Sequence, residues 1–110
     1  YKLSKDGYCE YDEFEKTIQD EGTCTSELIT IQARLQEMAE LKSMPKEKFK
    51  DITENSPVKE YEIKTKHLRL YLMHEQNTGR VIISGSKKTS QDKDIRHFRI
   101  LKQEYIDSKK

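Results

Sequence analysis

A set of cations in the second half of the chain carries the chemistry most open to interpretation: Lys64, Lys66, Arg69, Lys87, Lys88, Arg96 and Arg99. Fixed ammonium and guanidinium groups stabilise the negative charge that builds on phosphorus oxygens when a phosphodiester reacts. An arginine fork can hold two phosphate oxygens at once. Attack by a ribose 2′-hydroxyl also needs a base, and the leaving 5′-oxygen needs an acid. His67, His97, Tyr105 or a lysine of lowered pKa fits those roles, and the sequence does not choose among them. Each residue also has a plainer reading. Paired lysines suit a solvated strand end, Arg69 suits a cross-strand pair with Glu62 or Glu75, Tyr105 suits a partly buried helix face, and His97 suits exposure.

The elements that position these residues follow from hydrophobic period. "YKLS" suggests a short first strand, and Tyr11, Phe14 and Ile18 mark one face of a short helix ended by Gly22. Thr23, Thr25 and Ser26 offer N-caps for a second helix, "SELITIQARLQEMAELK", whose apolar stripe is Leu28, Ile31, Leu35, Met38 and Ala39. Pro45 stops it. The segment to Pro57 reads as an irregular connector from which Phe49 and Ile52 return to the core. "KEYEIKT" and "HLRLYLM" then alternate, with Leu68, Leu70 and Leu72 on one side and His67, Arg69 and Tyr71 on the other. Asn77 and Gly79 mark a turn, "RVIIS" returns as a strand, and Gly85 begins the loop that carries Lys87 and Lys88. A last helix sets Ile95, Phe98, Leu101 and Tyr105 on one face, with Asp92 and Asp94 near its positive end.

These elements predict one α+β domain spanning residues 1–110: an antiparallel sheet, an N-terminal helical pair packed on one face, and a C-terminal helix. With the leucines against the helices, Arg69 and its neighbours line an open sheet face. Lys87 and Lys88 rim it, and Gly85 lets the backbone there approach phosphate closely.

Composition narrows the function. Residues 1–57 carry 8 Lys+Arg against 13 Asp+Glu, and residues 58–110 carry 13 against 7, so a net charge of +1 conceals balances of −5 and +6. A basic half is the usual electrostatic footprint of a polyanion partner. Cys9 and Cys24 show neither CxxC spacing nor adjacent histidines, and His67, His74 and His97 lack the i, i+4 arrangement, so no metal site or other cofactor is expected. Gly79 and Gly85 lack the spacing and the Gly-Lys-Ser/Thr of a phosphate loop. No apolar run suits a signal peptide or membrane span, and a cytoplasmic protein is expected.

"YEIKTKHLRLYL" followed by "GRVIISGSKKTSQDKDIRHFRILKQEY" resembles the toxins of the RelE/ParE superfamily of bacterial toxin–antitoxin modules, in particular its HigB-like, phage-derived branch. The matching positions are Arg69-Leu70-Tyr71 on a strand and Gly85-Ser86-Lys87-Lys88-Thr89 before a helix, and "DGYCEYDEFEKTIQ…RLQEMAELK" matches the family's N-terminal helical pair. The resemblance covers most of the chain. It implies a metal-independent ribonuclease that cuts mRNA on the ribosome and is restrained by a cognate antitoxin. Lys64, Lys66, Arg69 and Lys88 would contact the scissile phosphate, with Tyr105 and then His97 as proton-transfer candidates. Lys87, His67, Arg96 and Arg99 would hold RNA. Other members of the fold act on DNA gyrase or have lost activity, so a gyrase-inhibiting toxin or a non-catalytic interaction module is the alternative.

Overall fold

The computed structural model describes residues 2–4, 8–40, 49–54, 57–75, 79–88 and 91–108. Two helices come first, α1 (Glu10–Glu21) and α2 (Thr25–Glu40). Four strands follow, β1 (Lys50–Asp51), β2 (Lys59–Lys64), β3 (Leu68–Glu75) and β4 (Gly79–Lys87), and α3 (Gln91–Ser108) is last. The strands form one antiparallel sheet in the order β1-β2-β3-β4. The α+β class, the helical pair and the C-terminal helix are those expected from the sequence.

Gly22 ends α1 in the left-handed conformation, with φ 74°, and its N–H donates to the Ile18 carbonyl. The first bond of α2 runs from Leu28 N–H to the Cys24 carbonyl, so Cys24 occupies the capping position that was expected of Thr23, Thr25 or Ser26. Thr25 instead donates its hydroxyl back to the Gly22 carbonyl at 3.3 Å. "YKLS" contributes one parallel bridge, Lys2 with Ile82. The connector expected before Pro57 contains the two-residue strand β1, and Phe49 just ahead of it is buried. Pro45 and Asn77 lie outside the described residues, as does the side chain of Ala39.

The sheet is covered on both faces, which corrects the expected open surface. On one face, Ile63, Leu68, Leu70, Leu72 and Ile82 pack against Tyr11, Phe14 and Ile18 of α1 and Leu28, Ile31 and Met38 of α2. On the other, Tyr71, Met73, Val81 and Ile83 pack beneath Phe98 of α3, with Ile95, Leu101 and Tyr105 at the margin. The Tyr71 and Phe98 rings stack at 5.4 Å. Tyr71 therefore belongs to a core. The unbroken apolar run Leu70-Tyr71-Leu72-Met73 is the sequence mark of a strand buried on both sides. A register shift between Tyr71 and Leu72 in the β3–β4 ladder bends the strands there.

Gly85 is corrected as well. β4 runs on to Lys87, so Gly85 lies within a strand rather than opening a loop. A Cβ there would stand 2.7 Å from the Phe14 ring. The glycine makes room for α1 on the sheet.

Buried charge fixes α3 to the sheet. Glu60 of β2 accepts from Lys102 Nζ at 2.9 Å and from Arg99 Nη2 at 3.3 Å, while Arg99 also donates to the Ile52 carbonyl at 2.9 Å. Glu60 and Lys102 are both buried. Such a network is costly to desolvate, and each member needs the others.

Candidate functional site

The expected site residues separate into distinct places. Lys66, His67, Lys87 and Lys88 converge on a groove of about 500 Å³, whose remaining wall is Thr23 and Cys24 from the α1–α2 connection. The convergence follows from the sheet. Leu68 pairs with Lys87, and the Lys88 N–H donates to the His67 carbonyl at 2.9 Å, which ties the β2–β3 loop to the end of β4.

His67 is not on the strand face shared by Arg69 and Tyr71. It lies in the loop ahead of β3 and turns toward α2, where its Nδ1 is 2.7 Å from Glu27 Oε2. The other carboxylate oxygen of Glu27 accepts from the Thr65 hydroxyl at 2.5 Å and from the His67 N–H at 2.6 Å. Desolvation pulls the Glu27 pKa upward, but these donors outweigh it and hold the carboxyl down to about 2. An ionised, fixed carboxylate thus orients the imidazole, leaving Nε2 as the ring nitrogen not engaged with Glu27. Glu27 was absent from the expected set. It stands 40 residues from His67 in sequence, and a glutamate in a first helical turn reads as a dipole partner.

Lys87 pairs with Glu21 of α1, and that carboxylate raises its pKa. Lys64 and Lys66 are exposed and Lys88 is partly so; none of the three forms an ion pair among the described residues.

The remaining expected residues lie elsewhere. Arg69 points to the α3 face, its side chain only 17% exposed, with Nε 3.8 Å from the fully buried Glu62 carboxylate. It stands in register with Lys64 and Ser86. Tyr71 Oη, Ser86 Oγ and Asp94 Oδ2 are buried too, Ser86 in register with Arg69 and Asp94 in the first turn of α3. Burial pushes the Tyr71 phenol well above its usual range, with Glu62 and Asp94 adding to the shift. Arg99 is committed to Glu60 and Glu54, and with Arg96 it borders a separate groove over Lys50–Glu54. His97 is exposed, its Nε2 2.9 Å from Glu10. Tyr105 packs against the core beneath α3.

The charge asymmetry is partly spent inside the molecule. Lys87–Glu21, His67–Glu27, His97–Glu10 and Arg99–Glu54 each join the basic half to the acidic half. One group of metal-binding types also converges: ligand atoms of Cys24, Glu27 and His67 all lie within 4.8 Å of one another. Spacing along the chain gave no sign of it, because the residues meet only when the β2–β3 loop folds against α2. No helix among the described residues is long and apolar enough to cross a membrane. No family model, curated protein or solved structure matches the chain.

Proposed function

We propose that the protein is a metal-independent endoribonuclease, a RelE/ParE-type toxin of the HigB-like branch that acts on mRNA at the ribosome in the cytoplasm and is restrained by a cognate antitoxin. The observation that carries the ribonuclease reading is His67, held by the Glu27 carboxylate at the edge of a groove lined by Lys66, Lys87 and Lys88. Glu27 fixes the ring as a carboxylate fixes a catalytic histidine elsewhere, by orientation and by stabilising the imidazolium once it forms.

In this reading His67 Nε2 takes the proton of a ribose 2′-hydroxyl as that oxygen attacks phosphorus. The P–O5′ bond breaks, and the leaving oxygen takes a proton from a flanking ammonium group. The products are a 2′,3′-cyclic phosphate and a 5′-hydroxyl end. Lys66 and Lys88 stabilise charge on the phosphoryl oxygens. Arg69 supports the sheet through Glu62 rather than touching phosphate, so the role implied for it by resemblance passes to the lysines.

The test is induction in cells with mRNA ends mapped within minutes, alongside cleavage by purified ribosome-bound protein. His67→Gln should lower cleavage by about 10²- to 10⁴-fold, the usual contribution of a positioned acid–base group. Lys66→Ala/Lys88→Ala should weaken RNA binding and flatten its salt dependence, because fewer counterions are released. Full cleavage by His67→Gln would sink the assignment. Continued translation on intact mRNA with DNA breaks would favour gyrase as the target. Salt-sensitive RNA binding without any cut would favour a non-catalytic module.

A further inference from the structure

We infer that Cys24, Glu27 and His67 form a binding site for a divalent cation of the zinc class, and that occupancy takes His67 out of proton transfer. The second half of this inference rests on the ribonuclease reading; the first does not. A thiol, an imidazole and a carboxylate together are a mixed zinc donor set, whereas calcium and magnesium take oxygen ligands. The ligand atoms lie within 4.8 Å of one another. Around a tetrahedral zinc ion such atoms sit about 3.3–3.8 Å apart, given metal–ligand lengths of about 2.0–2.3 Å. The Glu27–His67 pair at 2.7 Å would open to that spacing on binding, and the longer separations would shorten.

The surroundings suit the ion. Glu27 is anchored through Oε1 by the Thr65 hydroxyl and the His67 N–H, which leaves Oε2 facing His67 Nδ1 at 2.7 Å. A metal ion enters where a hydrogen now sits between those two atoms. The ring hydrogen then moves to Nε2, and the Cys24 thiol hydrogen leaves to solvent. Thiolate and carboxylate together balance a dication, so the nearby Lys66, Lys87 and Lys88 oppose a neutral site less than a bare ion. Lys87 is already engaged by Glu21. Three protein ligands leave a fourth position on the groove side, where Cys24 and His67 form the wall. With Nδ1 on the metal and the hydrogen on Nε2, the imidazole has no lone pair left to accept a proton from a 2′-hydroxyl. Zinc-class ions would thus act as inhibitors of a reaction that needs no metal.

Cobalt(II) titration of the protein tests the site directly. A thiolate-to-cobalt charge-transfer band should rise to saturation at about one ion per chain, as a tetrahedral site with one cysteine ligand requires, and zinc should displace it. Cys24→Ser should remove that band. His67→Gln should weaken binding by at least the roughly 10- to 100-fold that even a supporting residue costs a metal site. Cys9→Ser and His97→Gln should leave the titration unchanged. Zinc should suppress RNA cleavage by the wild type and leave cleavage by Cys24→Ser undiminished, each judged against its own metal-free rate. Absence of the band, its survival in Cys24→Ser, or undiminished cleavage at saturating zinc would overturn the inference. Metal-free wild-type protein that cuts no RNA would count against the ribonuclease reading alone, and the site would then be judged on the cobalt spectrum.

Discussion

The two faces of the sheet are held by different physics. Beneath α1 and α2 the centre of the contact is apolar, with Leu68, Leu70 and Leu72 against Phe14, Ile18, Leu28 and Ile31, and polar contacts such as Lys87 with Glu21, His67 with Glu27 and Arg80 with the Met38 carbonyl surround it. Beneath α3 a smaller apolar group around Tyr71 and Phe98 is flanked by buried charge: Glu60 with Lys102 and Arg99 at one place, Glu62 with Arg69 at another. Apolar burial is non-directional, each fully buried Leu or Phe contributing roughly 1.5–3 kcal/mol, and it tolerates small shifts of a helix. A buried carboxylate with two cationic partners tolerates very little. The first face supplies most of the stability, and the second fixes where α3 sits. The proposed site stands at the end of the sheet on the first side, with Glu27 on α2 and Lys87 tied to α1.

The largest expected effect probes the charged face. Glu60→Ala removes the carboxylate that neutralises the buried Lys102, which keeps its bond to the Val58 carbonyl, and should cost about 3–5 kcal/mol in urea unfolding. Glu60→Leu combined with Lys102→Met should recover most of that loss, since an apolar pair of similar volume replaces the ions without desolvating them. A single-variant cost below 1 kcal/mol would mean that charge does not position α3.

Gly85→Ala probes the apolar face. Its new methyl group meets the Phe14 ring at 2.7 Å. Overpacking of that kind costs about 1–3 kcal/mol and should appear as a lower thermal midpoint. Phe14→Leu in the same chain should relieve part of the penalty, giving a coupling energy that a double-mutant cycle reads directly. Additive effects would mean that the two residues do not meet.

An effect of comparable size is a pH dependence at the site itself. The Glu27 carboxyl is held at about 2 in the folded chain, below its ordinary 4.5. A lowered folded-state pKa stabilises the protein fully above the unfolded value, and that stability is lost as pH falls from about 4.5 through about 2. Denaturation between pH 5 and pH 2 should therefore show a loss on the order of 1–3 kcal/mol that Glu27→Gln removes. His97→Gln, which breaks only an exposed pair with Glu10, should change stability by less than about 1 kcal/mol at neutral pH. An unchanged acid limb in Glu27→Gln would separate the carboxylate from the anchoring of His67.

Much of the fold was legible before any coordinates. The three- and four-residue spacing of Tyr11, Phe14 and Ile18, the stripe along α2 and the alternation of Leu68, Leu70 and Leu72 record local geometry, because a helix or strand repeats its period residue by residue. Gly22 was readable as a helix stop, since a left-handed terminus favours glycine. The convergence of Lys66, His67, Lys87 and Lys88 was partly legible too, through the hairpin that pairs their strands.

Tertiary structure alone decided the rest. Alternation assigns His67 to the Arg69 side only if the strand continues through it, and a loop frees the ring to meet Glu27 on another element. Whether a sheet face is open depends on which helix lands there; the run Leu70–Met73 held the hint, but the alternation of the leucines outweighed it. Arg69 and Arg99 have the types expected of phosphate ligands, yet a buried carboxylate of β2 claims each of them. Gly85 read as backbone freedom, when its use is space for a ring more than seventy residues earlier in the chain. Local period is written in neighbouring residues, whereas the partner of a charge or the filler of a gap is settled only when distant segments compete for the same space.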